Sequence, residues 1–180
     1  SKKQAEDAIF EHGEAMGSQV YVFRMPGVFG KWCRPNYNSA VATFCHNIAH
    51  GLPITVSDRA VQLQLLYIDD LIDEMLAALA GQAHRCEADT AFCEAPVTHS
   101  VTLGEIVDLL YAFAEQPNTL YMPAQAAGSF EKKLYATYLS YLPREKEDMG
   151  KYYKTIVSCK PGLTGMWQTH GRSEAPFPQR

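Results

Sequence analysis

Met25-Pro26-Gly27-Val28-Phe29-Gly30-Lys31-Trp32-Cys33-Arg34-Pro35-Asn36-Tyr37-Asn38-Ser39 is the stretch on which the reading of this chain turns. Just before it, Val20-Tyr21-Val22-Phe23 is a short β-branched and aromatic run with the length of a buried strand. Residues 25–30 carry one proline and two glycines, so they read as the strand's exit. Glycine has no Cβ, and a backbone built this way can pass close to another group. Lys31 to Ser39 is polar, aromatic and proline-containing, hence a loop. Ala40 to His50 then reads as a helix, stopped by Gly51-Leu52-Pro53.

Working outward, residues 2–16 read as a helix with Ala5, Ala8, Ile9 and Met16 along its apolar side. Ile54-Thr55-Val56 and Leu63 to Ile68 are strand candidates. Asp69 and Asp70 look like paired acids, but capping of the following helix explains them better; its apolar stripe is Leu71, Ile72, Met75, Leu76 and Leu79. Residues 86–96 are irregular, with one strand around Ala91-Phe92-Cys93. Thr102 and Glu105 have capping-box spacing, and the helix behind them uses Leu103, Ile106, Leu110 and Phe113 before ending near Pro117. A last helix is expected from Ser129 to Tyr141. Short strands mixed with helices make this an α/β chain. No strand, Gly-rich turn and helix occur in succession, so the sequence contains no dinucleotide pyrophosphate cradle. Ser1-Lys2-Lys3 reads as an interior start.

Composition excludes several classes. The 180 residues are 47% apolar and 20% charged, ordinary for a soluble globular protein. A net charge of −4 and a pI near 5.8 argue against a nucleic-acid binder. No run approaches the roughly 18 apolar residues of a membrane span. Five cysteines, Cys33, Cys45, Cys86, Cys93 and Cys159, show no pairing pattern and suit reduced thiols of a cytoplasm. Cys45, His46 and His50 align only two or three metal ligands, too few for a structural zinc site, so no metal site is assigned.

Residues 1 to about 142 resemble the C-terminal, substrate-side half of extended short-chain dehydrogenase/reductases acting on nucleotide sugars. The branch is that of capsular-polysaccharide UDP-sugar reductases and NAD-dependent epimerase/dehydratases. The resemblance is carried by Ser1 to Glu6, by Met25 to Ser39, by Leu66-Tyr67-Ile68-Asp69-Asp70 and by Tyr135 to Pro143. It implies a partial extended short-chain reductase fold lacking the Gly-rich Rossmann half. In that family a Tyr four residues before a Lys on one helix is the acid, and the ammonium lowers its pKa. Lys2 matches the Lys; the Tyr falls before Ser1. Taken alone, Lys2 is a solvated terminal lysine. The resemblance further implies that Gly27, Val28 and Phe29 pass the nicotinamide and sugar. Arg34, Asn36, Tyr37 and Asn38 would close over the nucleotide sugar, the guanidinium clamping phosphate and the amides and phenol meeting sugar or uracil. The alternative is a polar loop with Trp32 and Tyr37 packed beneath it. NAD(P)(H) is the implied cofactor of the complete enzyme and a UDP-N-acetyl sugar its partner. The implied location is the bacterial cytoplasm, and a homo-oligomer is compatible with the family.

The tail resembles another family. Leu142 to Gly150 and Cys159-Lys160-Pro161-Gly162-Leu163-Thr164-Gly165-Met166-Trp167-Gln168-Thr169-His170-Gly171-Arg172-Ser173 are similar to bacterial sugar transferases, which load a sugar phosphate onto a polyprenyl phosphate. That resemblance implies phosphate or nucleotide contacts for Lys160, Gln168 and Arg172. A boundary is placed near Tyr141-Leu142-Pro143, giving a substrate-side segment over 1–142 and an irregular tail over 143–180. Three functional readings follow: a fragment of an NAD(P)-dependent nucleotide-sugar reductase or epimerase, inactive alone; a fragment of an undecaprenyl-phosphate sugar phosphotransferase; or a non-catalytic rearranged gene product.

Overall fold

A computed structural model describes residues 2–143. Their elements, in chain order, are α1 (Lys2–Met16), β1 (Val22–Phe23), β2 (Gly27–Phe29), α2 (Ala40–Ala49), β3 (Gln62–Tyr67), α3 (Ile68–Leu79), β4 (Phe92–Cys93), β5 (His99–Thr102), α4 (Leu103–Thr119) and α5 (Phe130–Leu139). The chain divides into two compact units. The first holds 2–30 and 56–108; the second holds 31–55 and the described residues from 109 onward. The α/β reading of the sequence agrees with this architecture.

In the first unit, β1 pairs with β4 in parallel, Val22 opposite Phe92 and Phe23 opposite Cys93. A second sheet has the order β2-β3-β5. β2 runs parallel to β3 with Gly27 opposite Leu65, Val28 opposite Leu66 and Phe29 opposite Tyr67, while β5 is antiparallel to β3. The sequence expectation of a bare strand exit at 25–30 is therefore corrected: 27–29 is itself a strand, made one by its partner. Ile54-Thr55-Val56, expected as a strand, forms none. Leu66, Leu71 and Ala95 form a buried cluster onto which Val28 and Ile68 pack.

α1 has the expected length, but its buried side differs. Ile9 is 50% and Met16 65% exposed, whereas Gly13 is buried and Glu6 and Phe10 are half-buried. Phe10 meets Phe92 edge-on at 5.5 Å. Gly13 sits where any Cβ would collide with Val20, so contact is set by the absence of a side chain rather than by the apolar stripe. On α3 likewise, Leu71 and Ala78 are buried while Met75, Leu76 and Leu79 are exposed. The helix begins one residue earlier than expected, with Tyr67 at the N-cap. Asp69 and Asp70 occupy its first turn, where they complement the positive helix end instead of capping it.

The capping box is present. Thr102 N–H and Oγ1 both donate to Glu105 Oε2, at 2.7 and 2.8 Å, and Glu105 N–H donates back to Thr102 Oγ1 at 3.1 Å. These bonds, the backbone one foremost, hold the Glu105 carboxyl below its ordinary range. A depressed carboxylate pKa adds stability above the unfolded-state value, and that stability is lost as pH falls through the folded one. Urea midpoints are expected to drop as pH is lowered through and below about 4.3, with a shallower drop in Glu105→Gln. Equal slopes in parent and variant would remove Glu105 from the account.

In the second unit α2 packs on α5. Val41, Ala42, Phe44, Cys45 and Ile48 of α2 are buried, as are Leu134, Thr137 and Tyr138 of α5. Phe113 joins them, with ring centroids 5.0 Å from Tyr135 and 6.1 Å from Tyr138. Ser39 caps α2 by accepting from Ala42 N–H, and Ser129 caps α5 through Lys132 N–H. α4 runs past the stop expected at Pro117 to Thr119, so Pro117 lies inside its last turns.

Candidate functional site

The strand assigned to the nicotinamide and sugar is anchored from below. Phe29 is 1% exposed, and its ring lies 5.4 Å from that of Tyr67. Its side chain is core; only its backbone is available to a ligand. Val28 is half-buried and Gly27 exposed. A Cβ on Gly30 would collide with Ile68, so the strand's end and the start of α3 approach as only glycine permits.

The loop of residues 31–39 is held by its backbone. Tyr141 OH donates to the Cys33 carbonyl, and Trp32 N–H donates to Ser140 Oγ at 3.4 Å. Asn36 N–H donates to Thr43 Oγ1 at 3.0 Å, and Thr43 Oγ1 donates in turn to the Ser39 carbonyl at 2.8 Å. Trp32 (φ 60°) and Asn36 (φ 54°) take the left-handed conformation, which asparagine adopts readily and a bulky tryptophan seldom does. Such backbone persists where its surroundings over-determine it.

The side chains, in contrast, face outward. Trp32 is 45% and Tyr37 70% exposed, so neither is packed beneath the loop, and that alternative does not describe this structure. Arg34, Asn36 and Asn38 are exposed as well. The Arg34 guanidinium stands over the Tyr37 ring, 5.3 Å from its centre. A cation, a phenol and two amides thus project from one pinned loop, which is chemistry suited to a phosphate and polar ring substituents. The residues that fix it, Thr43, Ser140 and Tyr141, were not singled out in the sequence. Ser140 and Tyr141 lie in the resembling segment Tyr135 to Pro143, whereas Thr43 carries no sequence signal of its role.

Other candidates are placed as follows. Lys2 is exposed at the start of α1. Lys160, Gln168 and Arg172, with the rest of the transferase-like tail, lie outside the described residues. Burial, and for Tyr67 also Asp69, pushes the phenols of Tyr67 and Tyr141 far above their ordinary value. Neither is a substitute acid near neutral pH. Among the described residues no group of three or more His, Cys, Asp or Glu side chains could hold a metal ion. No helix there is long and apolar enough to cross a membrane.

Residues 1–89 match the NAD dependent epimerase/dehydratase family. The chain has an epimerase/dehydratase-type fold. Over 145 residues it is 38% identical to UDP-2-acetamido-2,6-beta-L-arabino-hexul-4-ose reductase of Pseudomonas aeruginosa, covering 81% of this chain and 38% of that protein. The crystal structure of the capsular polysaccharide assembling protein CapF from Staphylococcus aureus superposes with a TM-score of 0.74 at 46% identity, covering 81% of this chain and 39% of CapF. UDP-glucose 4-epimerase of Thermotoga maritima, solved with UDP-glucose, shares the fold at a TM-score of 0.60 and 15% identity, over 81% of this chain and 52% of the other. The chain spans about two fifths of the length of the reductase and of CapF.

The NAD-dependent family implies a dinucleotide, which the described residues do not fit. The glycines with positive φ, Gly17, Gly51, Gly81 and Gly128, fall outside any succession of parallel strand, tight turn and helix N-terminus. No hydride step is assigned to these residues.

Proposed function

We propose that this chain is the nucleotide-sugar-holding part of an NAD(P)-dependent reductase or epimerase serving capsular or surface polysaccharide synthesis in the bacterial cytoplasm. The reading rests chiefly on one observation, a loop whose backbone is tied at Trp32, Cys33 and Asn36 while Arg34, Tyr37 and Asn38 project from it. Similarity to the Pseudomonas reductase and to CapF supports the substrate class, a UDP-linked N-acetyl sugar. In this reading Arg34 takes a phosphate of the diphosphate bridge, Tyr37 stacks or hydrogen-bonds at the base or sugar, and Asn36 and Asn38 meet hydroxyl or acetamido groups. NAD(P)H would be held by residues of the complete protein outside this sequence, and the chain alone would turn nothing over.

Calorimetric titration of the purified chain with UDP-N-acetylglucosamine, and separately with NADPH, tests this. Saturable heat with the sugar nucleotide and none with NADPH is the expected result. Binding of neither would sink the claim that this chain holds the sugar. Tight NADPH binding would overturn the assignment of the cofactor site elsewhere.

A further inference from the structure

Trp32 holds a backbone conformation that its own side chain disfavours, with φ at 60°. Strain of this kind in a bulky residue is ordinarily offset by burial, and tryptophan is highly buried on average. Here 45% of the residue stays exposed, so packing offsets little of the strain. Glycine would adopt the same turn freely. What holds the conformation is the chain around it. Trp32 N–H donates to Ser140 Oγ at 3.4 Å, and Ser140 Oγ donates in turn to the Thr137 carbonyl at 2.6 Å. The next carbonyl, that of Cys33, accepts from Tyr141 OH. Thr137 is fully buried, so this support belongs to the core of the second unit. The backbone therefore fixes where the indole stands, and the fold gains little from the indole itself.

We propose that Trp32 is the base-stacking residue of the loop, its indole face receiving the uracil ring of the nucleotide sugar. This rests on the reading of the loop as a nucleotide-sugar holder and adds to it the residue that selects for a base. Tyr37 is the other exposed ring on the loop, but the Arg34 guanidinium already stands over it. Among the described residues no ring or cation lies over Trp32. An open indole face is the better platform for a planar heterocycle, and Tyr37 is left to meet the sugar. Trp32 and Arg34 are two positions apart, so their Cα atoms lie within about 7 Å. A base on the indole thus leaves its phosphates within reach of the guanidinium, in the order that a uridine diphosphate presents them.

Trp32 and Trp167 are the two tryptophans of the sequence, so Trp167→Phe in the full chain leaves Trp32 as its sole indole. Titrating that protein with UDP-N-acetylglucosamine should quench its emission saturably, with the affinity that calorimetry gives. N-acetylglucosamine-1-phosphate, which lacks the base, should leave the emission unchanged. Base–aromatic stacking contributes about 1–3 kcal/mol, so Trp32→Gly should weaken the sugar nucleotide roughly five- to hundredfold by calorimetry. Its thermal midpoint by circular dichroism should stay close to the parent's, since glycine relieves the left-handed backbone. Trp32→Phe keeps an aromatic face and should recover most of the affinity. Calorimetric binding with unchanged emission, full affinity in Trp32→Gly, or no recovery in Trp32→Phe would each overturn the role of Trp32 while leaving the loop as the sugar-nucleotide holder. Absence of calorimetric binding would overturn both.

Discussion

Replacing Phe29 by alanine is expected to lower unfolding free energy by about 3–5 kcal/mol. The ring is almost wholly enclosed and meets Tyr67, and its strand is tied to β3 through the Phe29–Tyr67 pair. Truncation removes the ring's transfer energy and leaves a cavity that a three-residue strand, closed at its end by Gly30 against Ile68, has little freedom to fill. A loss of that size is a large share of the 5–15 kcal/mol typical of a domain. Urea denaturation followed by circular dichroism measures it. A loss below about 1 kcal/mol would mean that the ring is not part of the core.

Arg34→Ala should act on binding and leave stability nearly unchanged, because the side chain is exposed. A hydrogen bond to a charged group contributes about 1.5–3 kcal/mol. At 1.4 kcal/mol per decade, that is roughly a ten- to hundredfold loss of affinity for a UDP-N-acetyl sugar. Arg34→Lys restores charge without the planar fork and should recover only part of it. Calorimetry on the three proteins decides. Unchanged affinity in the alanine variant would move the phosphate contact to another residue.

These two predictions separate what could be read from the sequence from what could not. Helices were legible wherever local chemistry governs them: Thr102 and Glu105 announce α4, Ser39 and Ser129 start α2 and α5, and Gly51 marks a stop. β2 was not legible as a strand, because Gly27-Val28-Phe29 has weak local preference and becomes one only by pairing with Leu65 to Tyr67, far along the chain. Side-chain periodicity also misplaced the buried side of α1. There Gly13, a residue that contributes nothing to an apolar stripe, lets the helix lie against Val20. Of the candidate site, the residue types of the loop were legible, whereas the supports that hold it, Ser140 and Tyr141, are about 108 positions away.

The order β2-β3-β5 leaves β2 at a margin of its sheet, bonded to β3 on one side. Beyond β3, no further strand among the described residues runs beside Gly27 and Val28, and Pro26 stands at their entrance. An unguarded margin of this kind is a template for pairing with another molecule. Colloidal behaviour should follow: light scattering that rises with protein concentration, and falls when a lysine replaces exposed Gly27. A sheet margin thus bears on how concentrated a solution of the chain can be.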